Sequence, residues 1–107
     1  MNESECQSIV NKWAKLYGYD DPPKVVFGSL PVDDEEPLYR ARFSDDPPEI
    51  CIDPEQIILV ILAHEFVHWL QYKEHGEVDE KSAEERGQKL ARNEIIGRAR
   101  QYHLPFV

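Results

Sequence analysis

The sequence predicts an α+β fold, in which a small three-stranded sheet packs against an N-terminal helix and two later helices. Near the N-terminus, apolar residues such as Ile9, Trp13 and Leu16 recur at helical spacing. Three short strand-like segments follow, separated by turns rich in proline and aspartate. Two long helical stretches complete the chain, so helices flank the strands in sequence and are expected to cover the sheet.

The N-terminal half of the chain is predicted to hold one helix and all three strands. The helix spans about Ser4 to Tyr17, because Gly18 stands where a helix commonly ends. The strands are predicted at residues 24–30, 38–43 and 49–53. Aspartates and prolines at 45–48 form a turn between the second and third strands, so the sheet should be antiparallel at least in part.

Two helices make up the rest of the predicted fold. The second helix should begin at Asp53, because aspartate is a favoured N-cap and the proline after it fits the first helical position. It is predicted to run to about His75, with Gly76 as its stop. An acidic connection at 77–81 would lead to the last helix, which is predicted from Ser82 to Arg100.

The composition bounds the kind of protein. A chain of 107 residues is near the usual size of one domain, so residues 1–107 are expected to form a single unit. The net charge of -9 opposes binding to nucleic acid or to an anionic membrane, because both need basic patches. Cys6 and Cys51 are too few for a disulfide framework, and the acidic N-terminus lacks the pattern of a secretory signal. We expect a cytoplasmic protein that is a monomer.

An H-E-x-x-H motif lies inside an apolar helical run, at His64, Glu65 and His68. Residues four apart share one face of a helix, so both imidazoles can bind one Zn2+ ion. Glu65 follows the first histidine directly, where its carboxylate can act as general base without being a ligand. A chance match would bury two histidines and a glutamate together without a partner, at a cost of several kcal/mol. The motif therefore predicts a zinc-dependent peptidase with one ion per chain.

A catalytic zinc site needs a third protein ligand. His75 lies seven residues after His68, which is about 10 Å further along the helix axis, so it cannot share the ion. Glutamates further along the chain supply the remaining candidates, which are Glu77, Glu80, Glu84, Glu85 and Glu94. The first two fall on the predicted connection, and the others fall on the last helix.

The stretch from Glu84 to Ala91 resembles the E-x-x-A-D-x-x-A helix that carries the glutamate ligand in several gluzincin families. Aligned on Ala91, the resemblance places Glu84 at the ligand position. We prefer it to Glu85, which is predicted to form a capping box with Ser82 as the N-cap of this helix. Gly87 would then be the small residue that lets the helices approach, and Gln88 would replace the acidic residue that orients a histidine ring.

With its short length, its H-E-x-x-H motif and its downstream glutamate, the chain resembles the minigluzincins, which are minimal zinc peptidases of gluzincin type. The resemblance implies a peptide or protein substrate bound in extended form along an edge strand, at 38–43 or 49–53. It also implies that some members are latent, with a terminal segment across the cleft. The alternative from a different class is a regulatory or binding module that keeps the zinc but does not turn over substrate.

The C-terminal residues supply further candidates. Tyr102 and His103 follow the last helix and could stabilise the oxyanion of the transition state, with Tyr39 and Tyr72 as alternatives. The tail at 101–107 is more apolar than a free terminus needs to be. It is predicted either to occupy the cleft as an inhibitory segment or to pack on the core near the first helix.

Overall fold

The computed structural model describes residues 2–28, 41–53 and 59–101, with the side chains of the last helix described as far as Gly97. Three helices form within these ranges, namely α1 (Glu3–Leu16), α2 (Leu59–His75) and α3 (Glu80–Gln101). The three strands are β1 (Lys24–Phe27), β2 (Ala41–Asp45) and β3 (Pro48–Ile52). The predicted α+β class is therefore confirmed.

The sheet has the strand order β1-β3-β2 and is mixed. β1 runs parallel to β3, with Val25 opposite Ile50, and β2 runs antiparallel to β3, with Phe43 opposite Ile50. The prediction that the segment 49–53 could offer a free edge is wrong, because β3 is paired on both sides. β2 is an edge strand of the described sheet, so the other predicted edge, 38–43, agrees with the structure from residue 41 onward. Residues 38–40 lie outside the described ranges.

Helix α1 begins at an N-cap and contributes an aromatic side chain to the hydrophobic core. The side chain of Asn2 accepts a hydrogen bond from the backbone N–H of Glu5 at 2.8 Å, and Glu5 completes a capping box. Trp13 of α1 packs against Phe66 of α2, with ring centroids 5.4 Å apart. Each such buried side chain contributes about 1.5–3 kcal/mol to stability. This packing holds α1 against the middle of α2.

Helix α2 joins the sheet to the last helix, because it contacts β2, β3 and α3. Residues of α2 that belong to the hydrophobic core are Leu62, Ala63, Phe66, Trp69 and Leu70. The helix ends as predicted at His75, where Gly76 adopts a φ of 74°, a left-handed conformation that glycine accepts at little cost. Its predicted start at Asp53 depends on residues 54–58, which lie outside the described ranges.

Helix α3 begins at Glu80, two residues before the predicted start at Ser82. Asp79 acts as the N-cap, since its Oδ2 accepts a hydrogen bond from the N–H of Ser82 at 3.2 Å and its C=O accepts from Ala83 at 3.0 Å. The predicted cap at Ser82 is therefore wrong, because Asp79 takes that role one turn earlier. Glu80 consequently belongs to the first turn of the helix rather than to a connecting loop.

Two further observations concern the cysteines and the helices of the described residues. Cys6 and Cys51 both lie within the described ranges, and no disulfide joins them. Among residues 2–28, 41–53 and 59–101, none of the helices has the length and apolarity that crossing a membrane requires.

Candidate metal centre

Two imidazoles and one carboxylate meet where α2 faces the start of α3. His64 and His68 lie one turn apart on α2, with ring centroids separated by 4.7 Å at an interplanar angle of 84°. The carboxylate of Glu80 reaches both rings: its Oε2 lies 3.1 Å from Nε2 of His64, and its Oε1 lies 2.9 Å from Nε2 of His68. Each imidazole therefore lies beside a different oxygen of the same carboxylate.

The chemistry of these side chains suits a zinc ion. Two imidazole nitrogens and one carboxylate oxygen are a donor set that catalytic zinc sites use. The nitrogen–oxygen distances of 2.9 and 3.1 Å belong to the two different oxygens of Glu80, so one ion between the rings would be bound by both oxygens or would require the carboxylate to turn. Ligand-type atoms of His64, Glu65 and His68 also lie within 4.8 Å of one another.

The histidines differ in exposure, which leaves one side of the site open. The side chain of His68 is 6% exposed, that of His64 is 22% exposed and that of Glu80 is 66% exposed. The inner wall of the site is thus formed by α2, and the outer wall is formed by a glutamate at the protein surface.

Glu65 lies beside the ligands but is enclosed, with only 4% of its surface exposed. Burial is the main reason why its pKa rises from 4.5 to about 7, and the negative charge of Glu80 adds to the rise. The positive charge of His68 and a hydrogen bond from the backbone of Phe43 lower the pKa and so act in the opposite direction. A carboxyl group with a pKa near neutrality can both accept and release a proton under physiological conditions.

The structure brings three of the predicted site residues together. It also places beside them Glu80, which was predicted to lie on the connection between the last two helices. His64, Glu65 and His68 form the cluster, as the motif predicts. Glu84 and Glu85 are exposed on α3, and the glutamate beside the histidines is Glu80, one turn before Glu84. The glutamate beside the histidines therefore lies one helical turn before the glutamate that the alignment on Ala91 selects.

A signal for Glu80 was present in the sequence. Glu80, Ala83, Glu84 and Gly87 also match the pattern E-x-x-A-D-x-x-A, with glutamate for aspartate and glycine for the final alanine. In this register Ala83 is fully buried, as a residue facing α2 should be. Recognising Asp79 as the N-cap would have placed Glu80 on the helix and led to this register.

Gly87 has the predicted role of permitting close helix approach. A Cβ atom at this position would lie 3.1 Å from both the Cα and the N of His64, and 3.3 Å from the carbonyl carbon of Ala63. These are backbone atoms, which cannot rotate away. The absence of a side chain at Gly87 therefore lets α3 lie directly against the turn of α2 that carries the first histidine.

The residue that contacts the second histidine is Gln71 rather than the predicted Gln88. Gln88 is exposed on α3, whereas Gln71 is buried on α2, and its Oε1 lies 3.3 Å from Nδ1 of His68. Sequence reasoning missed Gln71, although its position three residues after His68 places it on the same helical face.

Of the four predicted oxyanion donors, only Tyr72 lies within the described residues. Tyr72 is partly buried, and its ring packs against Phe43 of β2 with centroids 6.1 Å apart, which gives it a packing contact between helix and sheet. Tyr39, Tyr102 and His103 lie outside the described residues, as does the tail beyond Gln101.

Comparison with known proteins identifies no relative. No protein-family model, no curated protein sequence and no solved structure matches the chain. The case for a zinc site therefore depends on the residues themselves and on their geometry.

Proposed function

We propose that the protein is a zinc-dependent endopeptidase of gluzincin type, with one Zn2+ held by His64, His68 and Glu80. The observation that carries the proposal is the single carboxylate within 3.1 Å of Nε2 of both histidines. The proposal keeps the predicted histidines and replaces Glu84 by Glu80. Buried carboxyl groups seldom lie beside such a donor set without a function, so the position of Glu65 supports catalysis as well as binding.

The chain's own residues account for the proton transfers. When bound, Zn2+ supplies a Lewis acid and lowers the pKa of a water ligand toward about 7. Glu65 then accepts a proton from the attacking water on its carboxylate and delivers it to the leaving amine. Burial favours the neutral carboxyl group, so it helps Glu65 to hold the proton between the two steps. The hydrogen bond from the Phe43 backbone orients that carboxylate.

The position of β2 suggests how a substrate is held. β2 contacts α2 and forms an edge of the described sheet, and its residue Phe43 is hydrogen-bonded to Glu65. An extended peptide that pairs with this edge would therefore pass beside the proposed base. The net charge of -9 favours neutral or basic peptides over acidic ones.

A peptidase assay on the purified, zinc-loaded protein tests the proposal. Quenched fluorescent peptides of neutral and basic sequence should be cleaved, and a chelator should abolish the cleavage. Glu65→Gln should hold zinc but lose activity, because an amide cannot accept the proton. The assay is repeated with a chain that ends at Gln101, because the apolar tail is predicted either to occupy the cleft as an inhibitory segment or to pack on the core.

Two results would contradict the proposal in different ways. Zinc binding without cleavage by either chain would leave a metal-binding module and remove the peptidase. Failure of the wild-type protein to bind zinc would remove the metal site itself.

A further inference from the structure

Gln71 has an unusual combination of burial and contacts for an uncharged polar side chain. It is 3% exposed, and it lies on the face of α2 that carries His64 and His68, seven and three residues before it. Its amide contacts both the ring of His68 and the backbone of Asp79. Asp79 is the residue directly before Glu80, so one side chain contacts one proposed zinc ligand and the residue next to another.

The orientation of the Gln71 amide is determined by Asp79. The Oε1 of Gln71 accepts a hydrogen bond from the N–H of Asp79 at 3.0 Å, and its Nε2 donates one to the C=O of Asp79 at 3.0 Å. Rotating the amide by half a turn would place donor against donor and acceptor against acceptor. The oxygen must therefore stay on the side where the ring of His68 lies.

This orientation provides an acceptor for the ring of His68. Its Nδ1 lies 3.3 Å from Oε1 of Gln71, and an amide oxygen can only accept a hydrogen bond. The other ring nitrogen, Nε2, lies 2.9 Å from the carboxylate of Glu80, which likewise can only accept. When Nε2 binds a metal, the ring proton must reside on Nδ1, and Gln71 then accepts its hydrogen bond and fixes the orientation of the ring.

The same amide positions the third ligand. The side chain of Glu80 is 66% exposed, so packing alone does little to hold it. Its backbone begins α3, and the preceding residue, Asp79, is tied to Gln71 by the two hydrogen bonds and to Ser82 by its cap. The start of the helix, and with it Glu80, is thereby held against α2.

We propose that Gln71 is the positioning residue of the metal site, which orients the ring of His68 through Nδ1 and anchors the helix start that presents Glu80. The inference rests on the proposed zinc site but not on peptidase activity. Residues around ligands of this kind commonly change metal affinity about 10–100-fold when they are replaced.

The test replaces the amide while keeping its shape. Gln71→Met retains an unbranched side chain and removes all of the hydrogen bonds. Gln7→Met is the matched control, because Gln7 also clamps backbone with one amide: its Nε2 donates to the C=O of Pro23 at 3.1 Å, and its Oε1 accepts from Val25 at 2.7 Å. That second clamp joins α1 to β1, away from the metal site, so it controls for a general loss of buried hydrogen bonds.

Two measurements separate positioning from stability. The first measures hydrogen exchange of the backbone amides of Asp79 and Ser82, at the start of α3, in metal-free protein. The second measures zinc affinity by competition with a chromophoric chelator. Wild type and Gln7→Met should protect these amides equally and bind zinc equally. Gln71→Met should exchange them faster and bind zinc about 10–100-fold more weakly.

Unchanged exchange and unchanged affinity in Gln71→Met would overturn the inference, as would an equal loss in Gln7→Met. If Gln71→Met does not fold, Gln71→Glu decides, because its carboxylate keeps the acceptor for the N–H of Asp79 but cannot donate to the C=O: exchange and affinity equal to those of wild type in that variant also overturn the inference. The exchange measurement needs neither metal nor substrate. It therefore tests the role of Gln71 even if the wild-type protein cleaves no peptide.

Discussion

Replacing Gly87 by alanine tests how closely α3 must approach the metal site. The added Cβ would lie 3.1 Å from two backbone atoms of His64, whereas carbon atoms in good contact are about 3.5–4.0 Å apart. Because neither the new methyl group nor the backbone can rotate away, the two helices must separate by roughly half an ångström. The change acts at His64 itself, so it perturbs the ligand geometry as well as the packing.

The magnitude follows from two opposing effects. Alanine is favoured over glycine inside a helix by about 1 kcal/mol, and overpacking a tight interface costs about 1–3 kcal/mol. Gly87→Ala should therefore lower the free energy of unfolding by up to about 2 kcal/mol. Moving α3 outward also draws Glu80 away from Nε2 of His64, now 3.1 Å from its carboxylate, and we expect zinc affinity to fall about tenfold.

Gly97 provides a matched control on the same helix. A Cβ at Gly97 meets nothing within 4 Å, so Gly97→Ala should raise the free energy of unfolding by about 0.5–1 kcal/mol and leave zinc affinity unchanged. Urea unfolding of the metal-free proteins and zinc competition titrations measure both quantities. If Gly87→Ala is stabilised as much as Gly97→Ala and binds zinc as tightly as wild type, the argument from close approach is refuted.

Three further predictions concern the ligands, the base and the tail. Glu80→Gln should weaken zinc binding at least about tenfold while Glu84→Gln leaves it unchanged, and the reverse result in competition titrations would return the ligand to Glu84. Burial raises the pKa of Glu65 from 4.5 to about 7, so the metal-free folded state favours the protonated carboxyl group. The stability that this protonation gives is fully present below pH 4.5 and is lost as pH rises through 7. Glu65→Gln stays neutral, so at about pH 8 it should be more stable than wild type by up to about 3 kcal/mol in urea unfolding; equal stability would show that the carboxyl group is not penalised by burial. Deleting the residues after Gln101 should raise peptidase activity while leaving the circular dichroism spectrum intact, and a loss of structure would favour the packing role of the tail.

Several features of this protein are determined by local sequence. The H-E-x-x-H spacing brings two imidazoles to one side of a helix whatever surrounds it, because the turn of the helix is set by backbone hydrogen bonding. The end of α2 was also predictable, since Gly76 accepts a positive φ that other residues resist. The strands at Lys24–Phe27 and Pro48–Ile52 followed from short apolar segments between turn residues.

The pairing of those strands was decided by the tertiary structure. β3 has neighbours on both sides, and β2 is left as an edge beside α2. The sequence of a short strand does not determine how many strands will pair with it, because pairing depends on which segments the rest of the chain brings alongside.

Which glutamate lies beside the histidines was likewise decided by contacts between elements. Asp79 and Ser82 are both good N-caps by local chemistry, and a register based on either places a different glutamate near the histidines. Only the folded chain shows the amide of Gln71 bound to the backbone of Asp79 and Gly87 lying against His64. These contacts start α3 at Glu80 and bring that carboxylate to both imidazoles, and they form only once α2 and α3 have packed together.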